Sequence, residues 1–290
     1  MTQRRGFTLI EILIALVIMG IVTGALYRLL NTSQRLTLAQ SEQVSLQSNV
    51  RAGSLVVPSE LRELNTVVGA GVGPQNDILD AQLTSVQYRA MRGMGFTCQA
   101  PAAPVNVITL TSSSWTGLRT PKLDRDSLYL FVDGDPNDEA DDSWQHVAIT
   151  GVATTANACG AGVAGIVLNV AAVAPAAEVP AVPLNTPVRI FEVMELKLYQ
   201  DNGEWWMGAR SVKPEAALKP VLGPLTTTGL DFRYLNSAGA ETADMAAIKS
   251  VRLTVRGLTS GAVRAGGFGA TGRQQEELVT QVLLRNSIRP

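Results

Sequence analysis

Near its start the chain carries an apolar run from Phe7 to Tyr27 whose only charged residue is Glu11. As a helix this run covers roughly 30 Å, the hydrocarbon thickness of a bilayer, so it predicts a membrane span. A carboxylate inside a span costs a few kcal/mol even on the most lenient scale, and it normally has a partner or a water path. Glu11 is therefore the first candidate functional residue.

Beyond the span, residues 31 to 57 hold no proline and one glycine, Gly53. Leu36, Val44, Leu46, Val50, Leu55 and Val56 stand there among Gln, Ser and Arg, which predicts a helix leaving the membrane with an apolar stripe toward a domain. Pro58 is expected to interrupt it, with Ser59 to Leu64 as a further turn or kinked extension. The Gly69 to Gly73 cluster reads as a loop. From about Val86 the pattern changes to short alternating runs separated by turn residues, the mark of antiparallel sheet.

The clearest hairpin joins Val188–Gln200 to Glu204–Ala209 through Asp201-Asn202-Gly203. Later strands are expected over Leu230–Leu235, Ile248–Arg256 and Leu278–Arg285. In the second of these Val251, Leu253 and Val255 share one face, and Arg252, Thr254 and Arg256 the other. The proline-rich stretch Ala171 to Pro187 reads as an extended surface loop. The fold class is α+β: a long N-terminal helix, membrane-embedded in its first half, packed on an antiparallel sheet. The expected divisions are a leader over 1–6, a membrane and assembly helix over 7–27, its continuation over 28–64 and a β-rich domain over 65–290.

Composition fits an exported, tethered protein. With 290 residues, 46% of them hydrophobic, the chain has material for one sizeable core or two smaller ones. A formal charge of -1 gives no basic excess, so no direct nucleic-acid partner is expected. Cys98 and Cys159 fit a single disulfide in an oxidising compartment, with two unpaired thiols as the alternative reading. No Cys-x-x-Cys occurs, and His146 is the only histidine.

The leader carries Arg4 and Arg5 ahead of Gly6, a cationic flank that stays in the cytosol. An ordinary secretory signal starts similarly but is cut after its apolar region, and no clear Ala-x-Ala site follows this run. A basic leader, Gly6, then Phe7-Thr8-Leu9-Ile10-Glu11 resembles the prepilin motif of type IV pilins and type II secretion pseudopilins. That resemblance implies cleavage between Gly6 and Phe7 by a prepilin peptidase, N-methylation of Phe7, and assembly through Glu11. Gly20 matches a glycine frequent in these helices, whereas Arg28 stands where a helix-kinking proline is common. Leu230-Asp231-Phe232-Arg233-Tyr234, the strand over 248–256 and the ending Val282-Leu283-Leu284-Arg285-Asn286 resemble the minor group containing PilW and the type II secretion J subunit.

The family reading implies a minor pilin-like subunit that neutralises a neighbour's N-terminal amine through Glu11 and helps initiate or cap a type IV pilus. Its expected partners are the prepilin peptidase, other minor and major pilins or pseudopilins, and the inner membrane. Before assembly it would sit as a single-pass inner-membrane protein with a periplasmic domain, and afterwards in a fibre. The alternatives are a J-type pseudopilin of a secretion system and a tip adhesin.

Other motifs fall short of a site. The acidic stretch from Asp133 to Asp142 crowds carboxylates as a calcium loop does, with Asp133, Asp135 and Asp138 as weak ligand candidates. It is not an EF-hand, because Asp138 sits at the glycine position and Trp144 at that of the bidentate glutamate. A solvated acidic turn is the expectation, with no cofactor. Gly267 to Gly272 has the length of a phosphate loop but lacks its Lys-Ser/Thr ending, and reads as a loop before the last strand. Trp205 and Trp206, adjacent on a strand, must point to opposite faces. No nucleophile elbow or Ser-x-x-Lys appears, so the chain is not expected to be an enzyme.

Overall fold

The computed structural model describes residues 8–64, 76–101, 105–117, 119–132, 137, 143–171, 182–264 and 269–284. A single helix, α1 (Leu9–Leu61), runs 53 residues, about 80 Å at 1.5 Å per residue. Its first half meets no sheet, and Leu9 to Leu30 are all exposed. The second half lies on an antiparallel sheet and buries Leu46, Val50, Gly53, Val57, Pro58 and Leu61.

These buried positions fall at i, i+4, i+7, i+11, i+12 and i+15, one face of a 3.6-residue helix. Val44 and Leu55, expected in the stripe, lie about 160° and 180° around the axis from Leu46. They are 66% and 71% exposed, and Leu36 and Val56 are exposed as well. Pro58 does not interrupt the helix. It sits in the last turn, three residues before the end, and Arg62 N–H still donates to its carbonyl at 2.9 Å.

The sheet contains β1 (Ile78–Ala81), β2 (Ser85–Phe96), β3 (Val107–Thr111), β4 (Asp126–Val132), β5 (Ser143–Thr155), β6 (Gly165–Val170) and β7 (Pro187–Asp201). It continues with β8 (Glu204–Ser211), β9 (Lys219–Leu235), β10 (Ser250–Leu258) and β13 (Gln275–Leu283). A small separate hairpin pairs β11 (Val263–Arg264) with β12 (Thr271–Gly272). The expected loop over 267–272 is thus strand at its end, while residues 265–268 lie outside the description.

Strand β7 is the hub. Along one edge it pairs with β2; along the other its first half takes β4 and its second half β8. The two wings that result enclose different cores. The β8–β9–β10–β13 wing and β2 bury Tyr88, Met207, Phe232, Leu253 and Val255 against α1. In the other wing, β4, β5, β6 and β3 follow in order, and the bridge Thr97↔Leu110 joins β3 back to the end of β2. That closure makes a six-stranded barrel filled by Ile108, Leu110, Leu128, Leu130, Leu168, Val188 and Ile190. Closing a sheet this way removes the free edge that β3 would otherwise present.

The β7–β8 hairpin turns on Asn202-Gly203 between paired Asp201 and Glu204. Both turn residues have positive φ, 50° and 83°, the handedness that lets a two-residue loop follow the twist of its strands. Trp205 packs against the helix-side core and Trp206 lies half-buried on the opposite face. Helix and sheet approach closely at Gly257, where a Cβ would come within 2.7 Å of both Leu46 and Val50. Leu230–Leu235 is the end of the much longer β9, whose pairing with β8 shifts register around Gly223-Pro224. The final strand runs over 275–283 rather than 278–285.

Candidate functional site at the head of the helix

Thr8 is the N-cap of α1, with extended backbone (φ -81°, ψ 149°) that lets its side chain turn back over the first turn. Its hydroxyl accepts from the Glu11 N–H at 3.4 Å. The Glu11 carboxylate in return accepts from the Thr8 N–H and the Thr8 hydroxyl, each at 3.0 Å and both on Oε2. This is a capping box: two helix-end donors satisfied reciprocally, with an anion at the positive end of the helix dipole. Glu11 therefore has a partner inside its own chain, and Oε2 is the oxygen used. The signal was present as Thr8-x-x-Glu11, and a reading centred on the charge alone passes over it.

The described residues that follow this cap are apolar and exposed. Leu9 is 81% exposed, and Ile10, Ile12, Leu13, Ile14, Leu16 and Val17 are all half-exposed or more. α1 is long and apolar enough to cross a membrane, and none of the apolar window is buried within the chain. So large a contiguous apolar surface marks a membrane or protein contact. Gly6 and Phe7 lie outside the described residues.

The remaining candidates fall elsewhere. Cys98 and Cys159 are bonded, with Cα atoms 5.4 Å apart. The bridge sits beside the barrel seam: Cys98 follows the Thr97↔Leu110 bridge and donates its N–H to Thr109 at 2.9 Å, while Cys159 lies in the β5–β6 turn. Asp133, Asp135 and Asp138 are outside the described residues, as are 172–181 of the proline-rich stretch and 65–75 with the Gly69–Gly73 cluster. Among the described residues no three His, Cys, Asp or Glu gather as a metal site would require. His146, on β5, packs its ring against Tyr129 and Phe191 at 5.9 and 5.2 Å.

One polar cluster was not visible beforehand. Buried Glu192 on β7 accepts from Arg92 Nε at 2.9 Å and from Arg119 Nη2 at 3.2 Å. Arg119 also clasps Asp126, which takes the Lys122 N–H at 2.7 Å. Burial alone pushes the Glu192 carboxyl up, but the Ser211 hydroxyl and the Arg92 and Arg119 guanidiniums outweigh it and hold it below the usual carboxylate range. Its stabilising charge is thus present at neutral pH and is lost as pH falls through that lowered value. The partners come from 100 and 73 residues away in sequence, a separation no local pattern reports. The cluster flanks a cleft of about 530 Å³ lined also by Met91, Met94 and Thr116.

Residues 1–27 match the family model described as the prokaryotic N-terminal methylation motif. No curated protein and no solved structure matches the chain. This motif, leading into an exposed apolar helix and an antiparallel sheet, supports a type IV pilin-like protein. The motif implies processing by a prepilin peptidase and pilin assembly, and it is consistent, with the helix, with inner-membrane anchoring.

Proposed function

We propose that this chain is a minor pilin-like structural subunit, without enzymatic activity, that helps initiate or cap a type IV pilus. The peptidase cuts between Gly6 and Phe7 and methylates Phe7. The apolar helix then holds the chain in the inner membrane, its sheet domain in the periplasm, until it joins sister subunits. The observation that carries this reading is the methylation motif running directly into α1, with Glu11 three residues past Thr8 at its head.

The cap refines the role of Glu11. A carboxylate has room for about four hydrogen bonds, and Thr8 takes two of them, both on Oε2. We assign Oε1 to the N-terminal amine of a neighbouring subunit. Pre-setting the carboxylate by the cap lowers the entropy lost when that pair forms. In apolar surroundings the cation then keeps the carboxylate ionised.

Sheared fibres test the role. Quantitative mass spectrometry should find this chain well below the stoichiometry of the major subunit, and immunogold should mark fibre ends. Deleting it should reduce fibres per cell while leaving membrane levels of the major subunit unchanged. Labelling along the whole fibre, or its absence from fibres with no effect of deletion, would contradict the reading.

A further inference from the structure

From Ile12 to Ser41 the chain contains no Asp or Glu, yet Arg28 and Arg35 lie there, both exposed on α1. Spacings of seven residues return a helix to within about 20° of the same line. Arg28, Arg35 and Glu42 therefore form one column, continuous with the buried stripe that begins at Leu46. Cations on the outer flank of a span run against the usual charge bias, which favours the cytosolic side.

The topology puts a third cation in this place. Strand β10 descends along α1, for Gly257 meets Leu46 and Val50 and the loop after it bonds Glu42: the N–H groups of Ser260 and Gly261 donate to its carboxylate at 2.8 and 3.3 Å. On the returning strand Glu276 accepts from Gln43 at 3.3 Å. The β11–β12 hairpin lies between these two anchors in sequence and packs on α1, so it occupies the membrane-proximal end of the domain. Arg264 on it is exposed, its Nε within 3.3 Å of the Thr271 hydroxyl.

Two of the nearby acids are paired with cations, Glu204 with Arg273 at 2.7 Å and Glu277 with Arg256, whereas Glu42 and Glu276 keep their charge against neutral N–H donors. Arg28, Arg35 and Arg264 still outnumber these two carboxylates, and the two cations nearest the bilayer, Arg28 and Arg35, have no acid between them. We propose that Arg28, Arg35 and the described strands of the β11–β12 hairpin form a membrane-facing dock for the phosphate groups of anionic phospholipids, which sets the tilt of the domain on the bilayer.

The heights agree. Arg28 directly follows the apolar run and lies in the headgroup layer, roughly 5 to 8 Å thick. Arg35 stands about 10 Å higher and the hairpin base about 10 Å above that. An ordinary helix tilt of about 20° toward the column's face brings the hairpin closer to the headgroups. This inference rests on α1 spanning the membrane and does not depend on the fibre role.

The test is hydrogen exchange on the full processed chain in nanodiscs of phosphatidylcholine with and without phosphatidylglycerol. Amides of Val263, Arg264, Thr271 and Gly272 should exchange more slowly in the anionic discs. Arg35→Gln, which leaves the hairpin untouched, should reverse the protection by about fivefold, as should Arg264→Gln. Incorporation into the discs reports the span itself, so failure of the membrane reading is distinguishable from failure of the dock. Equal exchange in both lipids, or protection that follows protein concentration rather than lipid charge, would overturn the proposal; the latter would assign the column to a sister subunit.

Discussion

Glu11→Leu should leave the chain inserted and cleaved while lowering its recovery in sheared fibres by about a hundredfold or more. Breaking a buried ion pair from one side costs about 3 to 5 kcal/mol, because the remaining charge, here the neighbour's amine, is left uncompensated. Insertion should not suffer, since the span becomes more apolar. The substitution also removes half of the capping box, a smaller effect of about 1 kcal/mol. Two further variants separate the contributions. Glu11→Gln retains a side chain that completes the cap but carries no charge, and it should fail in assembly nearly as badly as the leucine. Thr8→Val removes the cap and keeps the charge, so it should cost no more than about tenfold. Fibre recovery normalised to processed membrane protein reads all three. If Thr8→Val is as damaging as Glu11→Gln, capping rather than pairing is the function of Glu11.

The second large effect is expected at the disulfide. Cys98 and Cys159 close a loop with a sequence separation of 61, worth roughly 4 kcal/mol in the chain-entropy model. For a domain of this size, replacing both by Ser should lower Tm by about 8 to 16 °C, measured on the detergent-solubilised chain. The position of the bridge adds a spatial signature. It staples the β3–β2 closure, where the barrel is held by the isolated Thr97↔Leu110 bridge and a few loop bonds, including Thr97 N–H to Thr186 at 3.0 Å. Exchange should therefore rise first at Thr97, Cys98 and Leu110, while the amides of β10 at the α1 interface remain protected. A change in Tm below 2 °C, or loss of protection spread evenly over both wings, would contradict this.

The sequence made some of this legible because the physics there is local. A run of apolar residues with one carboxylate, two cysteines in all, and Asn-Gly between two alternating runs each determine a short-range outcome. The helix stripe was half readable. Leu46 and Val50 are on it, but it continues through Gly53 and Pro58, residues that a search for apolar positions skips, and through Val57 and Leu61, which the expected stripe leaves out. Val44 and Leu55 are apolar and point away from the sheet. Pro58 does not interrupt the helix because a proline in the last turn has little helix left to break. Strand β9 was read only at its end, since Pro220, Gly223, Pro224 and Gly229 punctuate a strand that bends and changes register instead of stopping. Barrel closure and the Glu192 cluster had no local trace, being made by segments far apart in the chain.

If this chain is a prepilin-type precursor, its mature N-terminus records the cut. Mass spectrometry of the membrane-extracted protein from cells carrying the cognate peptidase should find N-methylated Phe7 as the first residue. An intact Met1 terminus, or a cut beyond Gly24, would contradict it.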